Sequence, residues 1–141
     1  MSCVNKFIKY SDFIKLSEEE LLLITSEHDI NKGVDKIHSL GAKVVAITLG
    51  SRGTLFSYRK RTIIPSIEIN QIDSTGAGDA FVGAVLSKLC EVEDNKNIDI
   101  GVWENIIRFA NRVGAKTCEN YGAINFIPTL KELENDFCVE I

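Results

Sequence analysis

The stretch Ile72 to Leu86, IDSTGAGDAFVGAVL, joins an extended apolar lead to a helix through two glycines spaced one residue apart. No other segment of the chain narrows the choice of fold as much. Glycine lacks the Cβ that forbids left-handed and close-approach backbone geometry, so the amides of Gly76, Ala77, Gly78 and Asp79 are free to converge on one point. That point lies at a helix N-terminus, where unpaired N–H groups and the positive end of the helix dipole favour an anion, phosphate above all. Read alone, Asp79 is an acid that the dipole favours. Beside a phosphate it makes better sense as a base that takes the proton of an attacking hydroxyl, while the amides hold the charge developing on the transferred group.

Motif spacing separates related sites. A Walker A loop needs G-x-x-x-x-G-K-[ST], and neither Gly-Lys-Ser nor Gly-Lys-Thr occurs in the chain. The dinucleotide fingerprint G-x-G-x-x-G also fails, because the glycine after Gly76 and Gly78 is Gly83, two places late. A bare G-x-G equally fits a plain tight turn between strand and helix.

The longer run Asp73-Ser74-Thr75-Gly76-Ala77-Gly78-Asp79-Ala80-Phe81 resembles the C-terminal signature D-[ST]-x-G-A-G-D-x-F of the ribokinase-like (phosphofructokinase B type) carbohydrate kinases, and nine consecutive positions fit. The resemblance implies that Asp79 is the catalytic base, that Gly76, Ala77 and Gly78 form the anion hole, and that ATP with Mg2+ is the phosphoryl donor. It also implies a place near the metal for Asp73 and Thr75.

At 141 residues, 45% hydrophobic and 26% charged, the chain has the composition and size of about one globular domain. We expect residues 1–141 to form a single nucleotide-binding and catalytic portion. The net charge of −4, with 16 Lys and Arg spread along the chain, argues against a nucleic-acid partner. The basic cluster Arg59-Lys60-Arg61 reads as a solvated hairpin rim. Apolar runs such as Leu21 to Ile24 and Val44 to Ile47 fall far short of the roughly 20 residues of a membrane span. The start, MSCVNKFIKYSD, lacks the apolar core of a signal peptide, and Cys3, Cys90, Cys118 and Cys138 form no C-x-x-C pair. These features predict a cytoplasmic protein with reduced, structural thiols.

Helical and extended patterns alternate along the chain, which predicts the α/β class with a mostly parallel sheet flanked by helices. Ser17-Glu18-Glu19-Glu20 before Leu21 reads as a capping box. The same segment resembles the family's N-x-x-E, whose Glu influences magnesium near the nucleotide phosphates. Glu20 fits it, and Ser17 stands in place of Asn, as in fructokinases. Asp29 to Leu40 places Ile30, Val34, Ile37 and Leu40 on one helical face, with Asp29 as cap and Gly41 as stop. His28 and His38 have no acidic or cysteine partner at ligand spacing, and no chemistry is assigned to them.

The β-branched run Lys43 to Leu49 predicts a buried central strand. Thr48-Leu49-Gly50-Ser51-Arg52-Gly53 then reads as a glycine hairpin into a second strand, Thr54 to Tyr58. It also resembles the family's T-L-G-x-x-G along the ATP phosphates and ribose, which implies nucleotide contacts at Thr48, Gly50, Ser51 and Gly53. Thr62 to Pro65 and Ile67 to Ile72 are predicted as further short strands. The helix Gly78 to Cys90 carries an expected buried stripe of Phe81, Val82, Val85, Leu86 and Leu89. Val102 to Thr117 is the next helix.

Phe109-Ala110-Asn111 resembles the family helix whose Asn borders the adenine, and Tyr121-Gly122-Ala123 resembles the turn that closes over the base and helps hold a monovalent cation. The resemblance thus adds Asn111 and Gly122 to the nucleotide site and implies K+, although Phe126 stands where the family has a small residue. Pro128-Thr129 with Glu132 predicts a last helix to about Phe137, again opened by a capping box.

The resemblance runs from about Tyr10 to Phe137 and covers only the C-terminal half of the family fold. The N-terminal half, with its sugar contacts and lid, has no counterpart before Tyr10. Three readings stay open. The first is the nucleotide-binding half of an ATP-dependent sugar kinase, most like a fructokinase. The second is an inactive truncated remnant that binds nucleotide or a partner chain. The third, a dinucleotide-binding module, is disfavoured by the late Gly83. We also expect an open sheet edge, and with it self-association or a partner chain that supplies the missing half.

Overall fold

The run KVVAITL becomes β2 (Val44–Thr48), and its burial explains the arrangement around it: Val44, Val45, Ala46 and Ile47 are each no more than 4% exposed. The computed structural model describes residues 3–94, 97–122, 127–129 and 132. They fall into two units, Met1–Pro65 and Ser66–Ile141.

In the first unit, β2 lies between β1 (Phe13–Ser17) and β3 (Thr54–Tyr58), with β4 (Lys60–Ile64) outside β3, so the sheet order follows the chain. β1 pairs with β2 in parallel, Phe13 opposite Val44. β2–β3 and β3–β4 are antiparallel. The class is α/β as expected, but within this chain the sheet is mixed rather than mostly parallel. The cause is local. Tight turns at Leu49–Gly53 and at Arg59 send the chain straight back beside itself, which only antiparallel neighbours permit.

A short helix, α1 (Cys3–Ile8), precedes β1 and is anchored by buried Ile8. Parallel pairing of β1 and β2 requires a helical crossover, which α2 (Glu18–Thr25) and α3 (Ile30–Ser39) supply. The capping box opens α2 as predicted: Glu20 N donates to Ser17 Oγ at 3.1 Å and Ser17 N donates to Glu20 Oε2 at 2.7 Å. Asp29 caps α3 by accepting from Asn31 N and Lys32 N. Val34 and Ile37 from α3 pack with Leu21, Leu16, Val45, Ile47 and Leu55 in one core, each such side chain contributing about 1.5–3 kcal/mol of burial. Not all of the apolar run in α2 is buried, and Leu23 is 84% exposed.

In the second unit, α4 (Ala77–Cys90) and α5 (Ile100–Thr117) pack together through Ala80, Phe81, Ala84 and Val85 on one side and Trp103, Ile106, Ile107 and Ala110 on the other. The buried stripe of α4 is therefore rotated from the predicted one. Ala80 and Ala84 take the places expected for Val82 and Leu86, and Leu86 is 54% exposed. Small residues win this face because α5 comes close: a Cβ on Gly114 would stand 3.2 Å from the Ala77 carbonyl oxygen.

Residues 67–72 form no strand. The segment has no ladder partner among the described residues, and the Ile72 and Asp73 amides both donate to Cys118 O, at 2.8 and 3.2 Å. Thr129 and Glu132 make the reciprocal bonds of a capping box. The helix expected onward to Phe137, together with Ala123, Phe126 and Cys138, lies outside the described residues.

Candidate active site

The geometry of the glycine turn is set before Asp79 is reached. Cys118 O, at the end of α5, holds Ile72 N and Asp73 N. The Asp73 carboxylate then accepts three hydrogen bonds: Oδ1 from Thr75 N at 3.0 Å and Thr75 Oγ1 at 2.7 Å, and Oδ2 from Gly122 N at 3.0 Å. These donors, the Gly122 amide foremost and then the Thr75 amide and hydroxyl, hold the Asp73 carboxyl below the usual aspartate range. Asp73 also helps to raise the Cys118 thiol, whose main perturbation is burial.

Gly76 occupies the N-cap of α4 in the left-handed region, φ 80° and ψ −5°, and no side chain caps the helix. The cap position is therefore open to an external acceptor. Of the four amides expected to converge, Ala77 N is already bonded to Ser74 O at 3.2 Å. Those of Gly76, Gly78 and Asp79 have no acceptor among the described residues. Only Gly76 needs left-handed angles, whereas Gly78 is ordinary helix in the first turn. The Asp79 carboxylate is exposed and has no hydrogen bond or ion pair among the described residues. A helix N-terminus with open amides and an unengaged carboxylate can bind an oxyanion and accept a proton beside it.

Asn111 is buried on α5 at 6% exposure, and Gly122 is exposed with φ 86°. Thus Asp73, Thr75, Gly76 to Asp79 and Gly122 form one connected turn region in the second unit. The first unit holds Ser17, Glu20, Thr48, Gly50, Ser51 and Gly53.

Ser17 and Glu20 lie at the start of α2, and Glu20 Oε2 is occupied by Ser17 N and by Lys15 at 3.8 Å. Glu20 Oε1 accepts nothing among the described residues. Thr48 ends β2, with its hydroxyl 3.4 Å from Leu16 O. Gly50, Ser51 and Arg52 make a single 3-10 turn closed by Gly53, whose φ 96° and ψ −138° belong to glycine alone. Arg52 reaches Glu18 Oε2 at 2.6 Å and so ties this turn to the start of α2.

Sequence reasoning missed two of these fasteners, the Arg52–Glu18 pair and the Cys118 carbonyl. The first is a long-range pair of ordinary surface charges, and the second is a backbone group with no sequence signature. Among the described residues no three His, Cys, Asp or Glu side chains cluster as a metal site. A metal held by one carboxylate together with nucleotide phosphates needs no such cluster.

A family model described as pfkB family carbohydrate kinase matches residues 1–130. The chain is 35% identical over 131 residues to a fructokinase of Vibrio alginolyticus, covering 92% of this chain and 42% of that protein. A solved fructokinase of Vibrio cholerae O395, described as bound to fructose, ADP and calcium ion, superposes with a TM-score of 0.86 at 32% identity, covering 94% of this chain and 42% of that one. A double mutant of that fructokinase, described with fructose, ADP and potassium ion, gives a TM-score of 0.85 at 31% identity over 92% and 42%. The chain thus spans well under half the length of these relatives.

Proposed function

Because the chain belongs to the pfkB family of carbohydrate kinases, we propose that it is the nucleotide-binding and catalytic portion of an ATP-dependent sugar kinase, fructokinase-like in its acceptor. The observation that carries this reading is the turn at Gly76 to Asp79, where three amides lack an acceptor among the described residues beside a carboxylate that none of them engages.

In the proposed reaction Asp79 accepts the proton of a sugar hydroxyl as its oxygen bonds to the γ-phosphorus of ATP, and ADP leaves with the bond electrons. The open amides of Gly76, Gly78 and Asp79 hold the negative charge of the transferred phosphoryl group, helped by the α4 dipole. The Ala77 amide contributes less, since Ser74 O already takes it. Thr48, Gly50, Ser51 and Gly53 take the nucleotide phosphates and ribose, Ser17 lies beside them, and Asn111 and Gly122 border the base.

Magnesium, when bound, would neutralise charge on the phosphates. Glu20 would help to hold it through the oxygen left open by the capping box. For Asp73 and Thr75 the assigned metal role is narrower, because they are bonded to each other and Asp73 also to Gly122. A carboxylate so engaged retains lone pairs for a weakly held monovalent ion such as K+.

A second reading is nucleotide binding without turnover by these residues, which span 42% of the length of a fructokinase relative. On that reading no sugar site is completed, and a further chain or a second copy pairs with the open edge that β1 shows among the described residues. No helix among the described residues is long and apolar enough to cross a membrane. We place the protein in the cytoplasm with no nucleic-acid partner.

Calorimetric titration with MgATP and with NAD tests the site, and a coupled ADP-release assay with fructose tests turnover. Saturable MgATP binding without NAD binding supports both kinase readings, and fructose-dependent ADP release selects the first. Absence of MgATP binding would sink both.

A further inference from the structure

The cluster Arg59-Lys60-Arg61 is not used by the proposed reaction. It frames the β3–β4 hairpin, and the fold brings Lys43, His38 and Ser57 to it, so that together they line an open cavity of about 560 Å³. The lining is polar and hydrogen-bonded. His38 Nε2 lies 2.9 Å from Ser57 Oγ and its Nδ1 lies 2.9 Å from Ala42 O. Arg61 reaches across to α3, with Nη1 donating to Asn31 O and Oδ1 and Nη2 to Asp35 Oδ1 at 2.6 Å.

Among the described residues, one donor of Arg61 and the guanidinium of Arg59 lack acceptors. Arg61 Nε is buried with no hydrogen-bond partner. Arg59 stacks over the Tyr58 ring, 5.0 Å from its centroid, and has no carboxylate or carbonyl acceptor among the described residues. The nearby acids pair with two of the cavity's own cations, Asp12 with Lys43 at 2.7 Å and Asp35 with Arg61, which leaves Arg59 as the cation without a carboxylate among the described residues. A buried cationic donor left unsatisfied is costly and marks a place where an ion or water belongs. Stacking on Tyr58 fixes the Arg59 plane while leaving its N–H edges free, the arrangement that suits tetrahedral oxyanions. The Lys43–Asp12 pair is exposed, so exchanging Asp12 for another anion costs little.

We propose that this cavity is a binding site for a phosphate-class dianion, held chiefly by Arg59 with Arg61 and Lys43 behind it. It uses none of the residues of the α4 turn and stands independently of the kinase reading. The ion is either free phosphate or the phosphate of a small metabolite.

The test is an amide NMR titration of the full chain with inorganic phosphate at constant ionic strength, paralleled by glycerol phosphate. Saturable shifts at Lys43, Ser57 and residues 58–61 are expected. Tighter binding of the ester would assign the cavity to a phosphorylated metabolite, and equal binding to the free ion.

Arg59→Asn, which tolerates the positive φ of 58° at this turn, should weaken binding there about tenfold. Arg61→Lys, which keeps the charge but removes Nε, should weaken it as well. Any shifts at Gly76 to Asp79 should be unaffected by either variant. Shifts at the hairpin that never saturate, or an unchanged affinity in Arg59→Asn whose cross-strand Tyr58–Lys60 contacts persist, would overturn the proposal.

Discussion

The Asp73 carboxylate and the Gly122 amide, 49 residues apart in the chain, are joined by a 3.0 Å hydrogen bond. With the two amides held by Cys118 O, this bond ties the start of the α4–α5 pair to its end. The position of Asp79 is therefore set by groups other than its own side chain. Most of those groups are backbone.

A pH dependence follows from Asp73. Its donors lower the folded carboxyl below the ordinary value of 3.8, so the ionised form favours the fold. The contribution is complete above 3.8 and is lost as pH falls through the lowered folded value. Urea denaturation of wild type and Asp73→Asn should show a constant stability gap from about pH 5 to 8 that closes in stronger acid. A gap that widens on acidification would contradict the assignment.

Helix packing supplies a paired test. Gly114→Val drives a side chain against the Ala77 carbonyl, 3.2 Å from the Cβ position, and should cost about 1–3 kcal/mol. Gly83 lies in the same helix pair with nothing within 4 Å of its Cβ position, so Gly83→Ala should gain up to about 1 kcal/mol from helix propensity. Thermal or urea unfolding of both variants checks the contrast.

If Asp79 is the base, Asp79→Asn in an enzyme with its sugar site complete lowers kcat by about 10²–10⁴ and leaves ATP affinity nearly unchanged. Steady-state kinetics with an ATP titration decide this. A kcat near wild type removes Asp79 from the chemistry.

The nucleotide turn separates binding from folding at only one of its glycines. Gly50 has φ 61° with open space at its Cβ position, so Gly50→Ala should cost about 1–2 kcal/mol of backbone strain and leave the hairpin intact. Gly53, buried at φ 96° and ψ −138°, fixes the β2–β3 return, so its substitution should disturb the sheet itself. Weaker MgATP binding in folded Gly50→Ala would support a phosphate role for this turn. Unchanged binding would exclude one.

Light scattering tests the open side of β1, which among the described residues has a strand neighbour on one edge only. Phe7 and Tyr10, 75% and 81% exposed, add apolar surface at the same end of the chain. We expect self-association that a partner strand relieves. A stable monomer at high concentration would refute it.

The sequence made local features readable. The Ser17–Glu20 box, the Asp29 cap, Thr54–Tyr58 and the strand-to-helix order around Gly76 all depend on residues within a few positions of one another. What escaped it was set by partners distant in the chain. Ile67 to Ile72 has an extended pattern but no neighbouring strand, and the rotation of α4 follows the close approach of Gly114. At the turn, the glycines and Asp79 were legible as a motif. The loss of one amide to Ser74 and the three bonds accepted by Asp73 were not, because they depend on hydrogen bonds that no spacing rule specifies.

The backbone at Gly76, with φ 80° and ψ −5°, lies in the region that an amino acid of inverted chirality occupies without strain. Handedness at this one carbon can therefore be exchanged by chemical ligation. A D-alanine there would match the folded geometry while restricting the unfolded chain, a gain of about 0.4–1 kcal/mol, whereas its mirror image, L-alanine, would incur the left-handed penalty of about 1–2 kcal/mol.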